Sequence, residues 1–291
     1  MITLKNNRLT VAISTKGAEL QSIKSSTEGI EYLWQGDSAY WGRKAPVLFP
    51  VVGRLINDHY SYKGKKYPLN QHGFARDSEF QVDEQTETMV RLTTCATPES
   101  KTYYPFDFQL TLTYTLKDNT VNVSYLVKNT HASEDLYFSI GGHPGFNVPM
   151  TSDTTFEDYY LSFLPRRSRR QIPLVGPYLD LENKTLGQTN TEITLNRALF
   201  DNDALIYETK GENVFSIRSE KTPHSVSVSF KDFPYTGIWS PPKKEAPFVC
   251  IEPWFGLADA TDFTGDLNEK LGIQHLKGME AFSANYTISL S

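Results

Sequence analysis

Cysteine is nearly absent: Cys95 and Cys250 are the only two in 291 residues. Two thiols so far apart form no disulfide framework and no CxxC pair, so a reducing, cytoplasmic setting is expected. Long apolar runs are also missing. No stretch approaches the ~18 residues of a membrane helix, and Met1-Ile2-Thr3-Leu4-Lys5 lacks the basic-then-apolar pattern of a signal peptide. Positive charge is not in excess. The formal net charge is -5 and the pI about 5.7, which argues against nucleic acid or an anionic membrane as the main partner. There is no Gly-rich phosphate loop after a strand, no His-Glu-x-x-His stretch and no Gly-x-Ser-x-Gly elbow. Nucleotide cofactors, zincin chemistry and a serine nucleophile therefore have no motif to stand on.

Two-residue alternation is what the chain has in quantity. Leu9, Val11 and Ile13 alternate with Thr10, Ala12 and Ser14, and Ala18 to Lys24 reads as another short strand. Phe106 to Leu116 and Val121 to Val127, joined by Lys117-Asp118-Asn119, predict an antiparallel hairpin. Val226, Val228 and Phe230 repeat the pattern, and Phe282 to Leu290 closes the chain with it. Amphipathic helical patterns are scarce; Thr191 to Ala204 predicts at most a short helix or 3₁₀ turn. Hydrophobic residues at 39% and aromatics at 13% suffice for a full core. The expectation is an all-β, large antiparallel sandwich, with residues 1–291 forming one domain.

Chemistry concentrates in four segments. Leu136-Tyr137-Phe138-Ser139-Ile140 reads as a strand that ends in Gly141-Gly142-His143-Pro144-Gly145-Phe146. The glycines are expected to take unusual backbone angles and Pro144 to stiffen the turn, aiming one imidazole. Gln71-His72-Gly73-Phe74-Ala75-Arg76 holds a second histidine beside glycine. Phe49-Pro50-Val51-Val52-Gly53-Arg54 puts a guanidinium in irregular backbone, where it can donate to a ligand oxygen or simply form a surface ion pair. In Val249-Cys250-Ile251-Glu252-Pro253-Trp254-Phe255, Glu252 ends a buried run, where desolvation would raise its pKa and make it a usable base. Trp254 and Phe255 offer the apolar face on which sugars stack, or are core. By ligand type, His72, His143 and Glu252 could also imitate a two-histidine, one-carboxylate metal site. The only charge run, Arg166, Arg167, Arg169 and Arg170, is a solvated loop or an anion site.

Taken in order, Leu48-Phe49-Pro50 with Gly53-Arg54, His72-Gly73-Phe74-Ala75-Arg76, Gly142-His143-Pro144-Gly145-Phe146 and Ile251-Glu252-Pro253-Trp254 resemble the aldose 1-epimerase (galactose mutarotase) superfamily. The resemblance is to its mutarotase-related, LacX-type branch. Thr15 to Leu20 and Glu31-Tyr32-Leu33-Trp34 extend it over essentially the whole chain. It implies a β-supersandwich that interconverts the α and β anomers of a hexose without cofactor or metal. It implies Glu252 as general base toward the C1 hydroxyl and His143 as general acid toward the ring oxygen. It further implies His72, Arg54 and Asp203, the last within Phe200 to Leu205, as sugar contacts, with Trp254 beside them. Glu252 and His143 are then expected on different sides of the sugar, with a gap between them wide enough for one pyranose. The segment after His143 differs in composition from that of galactose-processing members, so the sugar stays open. A hexose 6-phosphate 1-epimerase using the arginines at 166 to 170, and a non-catalytic sugar-binding protein, remain alternatives, as do monomer and homodimer.

Overall fold

Alternating side chains commit most of this chain to two facing sheets. The computed structural model describes residues 1–291. The larger sheet has nine strands in the order 193–194, 159–164, 212–219, 226–231, 281–290, 120–129, 108–117, 89–95, 81–85. Its centre is the predicted hairpin: Phe108–Lys117 pairs with Thr120–Asn129 across the Lys117-Asp118-Asn119 turn. The second sheet runs 185–187, 169–172, 205–208, 235–239, 248–255, 140–142, 47–48, with 145–147 also on the strand Phe248–Phe255. Strands 2–5, 9–13 and 20–25 form a separate three-stranded sheet. Helix is confined to short 3₁₀ segments, including Arg197–Phe200 inside the predicted span. No helix is long and apolar enough to cross a membrane. The fold is all-β, a large antiparallel sandwich.

The core lies between the two sheets. Phe255 meets Phe282 across the gap with ring centroids 4.9 Å apart, and Phe163 meets Tyr207 at 6.2 Å. Val249, Ile251 and Ile238 of the smaller sheet join Tyr125, Tyr286 and Ile288 of the larger in one cluster of 60 buried residues. Each such aliphatic or aromatic side chain contributes roughly 1.5–3 kcal/mol on burial, so this interface holds the smaller sheet in place. Strand period then decides the rest. On Phe248–Phe255 the odd-numbered residues enter the core, and Phe248, Cys250, Glu252 and Trp254 are left on the opposite, outward face.

Two expectations are corrected. The strand read as 136–140 is two strands. Leu136–Phe138 pairs with Gln274–Leu276, whereas Ile140–Gly142 pairs with Phe248–Phe255. The break falls at Ser139, whose N–H leaves the ladder for Pro50 O at 2.7 Å. A strand does end at Gly142, directly before His143, but its glycines are not there for unusual angles, since none of Gly141, Gly142 and Gly145 is among the positive-φ residues. Pairing to Phe248–Phe255 resumes beyond His143-Pro144 at Gly145–Asn147. The glycines serve close approach instead: a Cβ at Gly142 would lie 2.7 Å from the Tyr286 hydroxyl.

Candidate active site

Sheet register brings the proposed acid and base together. Gly141 lies opposite Trp254, and Gly145 lies opposite Cys250. The register is the same on both sides of the interruption, so His143 falls directly across from Glu252. Facing residues of an antiparallel pair carry their Cβ atoms about 4.5–5.5 Å apart. Accordingly, His143 Nε2 stands 3.2 Å from Glu252 Oε2. Pro144 and Pro253, one beside each residue, keep this stretch out of regular pairing. The expectation of a pyranose-wide gap between the two groups is therefore wrong. They touch, so any ligand that reaches both must do so from one side.

Both groups are buried, Glu252 almost completely. Burial lifts the Glu252 carboxyl well above its usual range, and neighbouring Asp203 adds to this. Burial pulls His143 down to about 3, its own backbone carbonyl partly offsetting the effect and Arg76 and Arg43 reinforcing it. Burial thus favours the uncharged form of each group, and the two stand close enough for a proton to pass between them. Trp41 stacks on the His143 ring at 4.7 Å and Trp239 meets it edge-on at 5.5 Å, fixing the imidazole plane.

His72 comes from a different part of the chain and turns its ring toward His143, centroids 5.6 Å apart. It holds a left-handed φ of +67°, uncommon for a non-glycine residue and often seen at functional positions. The Gly53 N–H donates to His72 Nδ1 at 3.1 Å, and the His72 N–H donates to Gly53 O at 3.0 Å. The neutral ring then carries its proton on Nε2. Burial, followed by His143, keeps the His72 pKa well below ordinary. Arg54 follows Gly53 and donates from Nη2 to Gln71 Oε1 at 3.1 Å. Asp203 sits at φ +72°, just after the 3₁₀ segment, and burial raises its pKa.

Trp254 lies flat on the sheet because both strands beside it present glycine. A Cβ at Gly141 would come within 2.5 Å of Trp254 Cδ1, and one at Gly237 within 2.3 Å of Cη2. The indole becomes the floor of a cavity of about 360 Å³, within the usual range for small-ligand sites. Arg54, His72, His143, Asp203, Glu252 and Trp254 all line it. Phe255, offered with Trp254 as a stacking face, points the other way and packs on Phe233 and Phe282.

Other lining residues had no assigned role in the sequence reading. Among them are Trp41, Trp239, Gln71 and Arg76, with Leu174, Pro177 and Pro242 from separate segments. Arg76 stood inside a quoted motif, and Trp239 follows from the alternation Tyr235, Gly237, Trp239 on its strand. Trp41 and these segments carry no periodicity that could have placed them. The arginines of the charge run lie elsewhere. Arg166 pairs with Glu192, Arg167 bonds Lys210 O, and buried Arg169 bonds Asn213 and sits over Phe215; none of the four lines the cavity. The metal-type set also differs from expectation. The donor atoms lying within 4.8 Å of one another belong to His143, Cys250 and Glu252, without His72. Cys250 is wholly buried in an apolar cluster with Trp34 and Phe248, and burial pushes its thiol well up, which disfavours the thiolate a metal needs.

Residues 1–267 match the aldose 1-epimerase family. The chain belongs to that family. Protein LacX of Lactococcus lactis subsp. lactis, plasmid form, is 33% identical over 298 aligned positions, covering 99% of each chain. Among solved structures, a galactose mutarotase related enzyme from Lactobacillus acidophilus superposes with a TM-score of 0.98 at 43% identity, covering 100% of this chain and 97% of that one. A galactose mutarotase-like protein from Lactobacillus casei ATCC 334 gives 0.91 at 34%, covering both chains fully.

Proposed function

We propose that this protein is an aldose 1-epimerase that interconverts the α and β anomers of a hexose in the cavity above Trp254. One observation carries the reading. Eight buried side-chain polar atoms make no well-formed hydrogen bond within the protein, and five of them belong to residues lining this cavity: Arg54 Nε, Arg76 Nε, His143 Nδ1, Trp254 Nε1 and Glu252 Oε2, the last of which meets only the edge of His143 at 3.2 Å without good hydrogen-bond geometry. Such atoms are rare in folded proteins and costly. Five around one cavity, above a flat indole, match a ligand with a ring of hydroxyls and an apolar face.

The contact between Glu252 and His143 suits the reaction. The oxygens to be protonated and deprotonated, O1 and the ring oxygen O5, are both bonded to C1, so one compact pair can reach both. In the tautomer that places the pair's proton on His143, Glu252 takes the proton from O1. The electron pair forms the C1–O1 double bond, the C1–O5 bond breaks, and O5 takes a proton from His143. Rotation about C1–C2 presents the other face of the aldehyde. O5 then attacks C1, His143 recovers its proton, and Glu252 returns one to O1. The singly protonated pair contains one acid and one base, which is what each half of the cycle consumes. His72 and Arg54 hold the sugar, and Asp203 accepts from a hydroxyl.

A second reading has its own support. Arg54 and Arg76 line the same cavity and are tied together through Gln71, Arg54 to Oε1 and Arg76 Nη2 to the backbone O at 2.6 Å. Burial, with Arg43 close by, lowers Arg76 to about 10, still cationic at neutral pH. Two cations facing one polar cavity favour an anionic substituent, as in a hexose 6-phosphate, through these arginines and not those at 166 to 170. Anomer-exchange NMR on D-glucose, D-galactose and their 6-phosphates tests both readings. Accelerated exchange on at least one is expected; saturable binding without it would mean a sugar-binding protein. If a phosphate is the substrate, Arg76→Met raises its KM about tenfold or more, the loss of one charge-assisted contact, and raises that of the neutral sugar less.

A further inference from the structure

Asp259 and Lys270 lie outside the cavity lining, yet they form the most deeply buried ion pair in the protein. Their side chains are 4% and 2% exposed, and Lys270 Nζ donates to Asp259 Oδ1 at 2.5 Å. A buried pair is weak evidence for stability, because desolvating two charges offsets most of their attraction. What Asp259 touches gives the pair a different use. Its N–H donates to Arg54 O at 2.9 Å, and its Oδ2 accepts from the Ile56 N–H at 2.8 Å. One residue thus grips the backbone on both sides of Leu55, immediately after the cavity arginine. Its own carbonyl accepts from the Leu179 N–H at 2.9 Å. Leu179 ends the small hairpin Leu174–Val175 with Tyr178–Leu179, which carries Leu174 and Pro177 over the cavity. Arg54 needs this support. Its side chain is 41% exposed and held only by Gln71 and by Asp58 at 4.0 Å, so its backbone anchor sets where the guanidinium points.

We propose that Asp259 and Lys270 are positioning residues for sugar binding: Lys270 fixes the Asp259 carboxylate, and Asp259 fixes Arg54 and the hairpin wall opposite it. The inference rests on the reading of Arg54 as a sugar contact. The test compares wild type, Lys270→Met, Arg54→Ala and the double variant. D-glucose, D-galactose and their 6-phosphates serve as probes; Kd is read from tryptophan fluorescence and kcat from anomer exchange. Lys270→Met and Arg54→Ala are each expected to weaken Kd about tenfold, the scale of loss from a displaced binding group. The change in kcat is smaller. In the Arg54→Ala background, Lys270→Met adds nothing to Kd, and Lys270→Arg restores wild-type binding. If Lys270→Met does not fold, Asp259→Asn/Lys270→Met removes both charges and replaces it in the comparison. A lowered Tm with unchanged Kd, or losses that multiply in the double variant, overturns the positioning role while leaving Arg54 a sugar contact. An unchanged Kd in Arg54→Ala alone overturns the reading of Arg54 itself, and this inference with it.

Discussion

Glu252→Gln is expected to slow anomer exchange by about 10²–10⁴-fold, the range for loss of one positioned acid–base group, while the protein stays folded. Folding is spared for a specific reason. Burial already holds the carboxyl toward its neutral form, so an amide of the same shape adds no buried charge and creates no cavity. His143→Asn should lose activity on the same scale, since either change leaves no acid–base pair. The two should not multiply. Their atoms sit 3.2 Å apart and act on one shared proton, so the double variant should fall within a few-fold of the slower single one. Polarimetry of a freshly dissolved anomer measures all three. Full rates in Glu252→Gln would remove the base from the account.

Gly237→Val is the second large effect, and it acts without touching any acid or base. Gly237 faces Glu252 across the ladder, with its Cα hydrogen under the Trp254 ring. A side chain there cannot coexist with the indole at 2.3 Å, and the strand on which it sits is fixed by pairing on both sides. The ring must therefore lift into the cavity and occupy the sugar's place. We expect sugar affinity to drop at least tenfold, about 1.4 kcal/mol or more. The change in circular dichroism should be small, because the strand itself accepts valine readily. Fluorescence titration checks the first point and thermal melting the second. A sugar affinity equal to wild type would mean that Trp254 is not the floor on which the sugar rests.

Much of the fold was legible because strand period writes itself into residue type. The alternation from Phe106 to Val127 located the central hairpin to within two residues at its outer start, where Phe106 turned out to serve an aromatic cluster with Tyr62, Tyr104 and Tyr137. The region 136–140 misled because its continuous apolar run says nothing about a change of partner sheet at Ser139. The glycines at 141 and 142 were correctly singled out but for the wrong physical reason. Glycine signals either a backbone angle or a close neighbour, and the neighbours, Trp254 and Tyr286, lie more than a hundred residues away.

The site was legible as a set of residue types and not as a geometry. Arg54, His72, His143, Asp203, Glu252 and Trp254 could each be picked out by local backbone or by resemblance. Whether His143 stands opposite Glu252 depends on register between strands distant in sequence, which no local pattern encodes. That register replaced a sugar-wide gap with direct contact. The Arg166–Arg170 run shows the converse: a conspicuous local cluster whose members are used up in exposed pairs and in packing on Phe215. The cations that do reach the cavity, Arg54 and Arg76, stand alone in the sequence.

The proposed mechanism requires one proton to pass between a buried carboxyl and a buried imidazole 3.2 Å apart. With His143 held down at about 3 and Glu252 held above the ordinary carboxylate range, the singly protonated pair persists across the whole interval between them. The direct test is the pH dependence of kcat/KM for anomer exchange, measured by NMR. The predicted profile has no inflection from His143 near 6.5, where a free histidine titrates; it falls on the acid side as His143 takes up a second proton near its lowered pKa of about 3, and again where the burial-raised Glu252 carboxyl gives up its proton. A rate that follows a single ionisation near 6.5, or no acceleration at any pH, would contradict it.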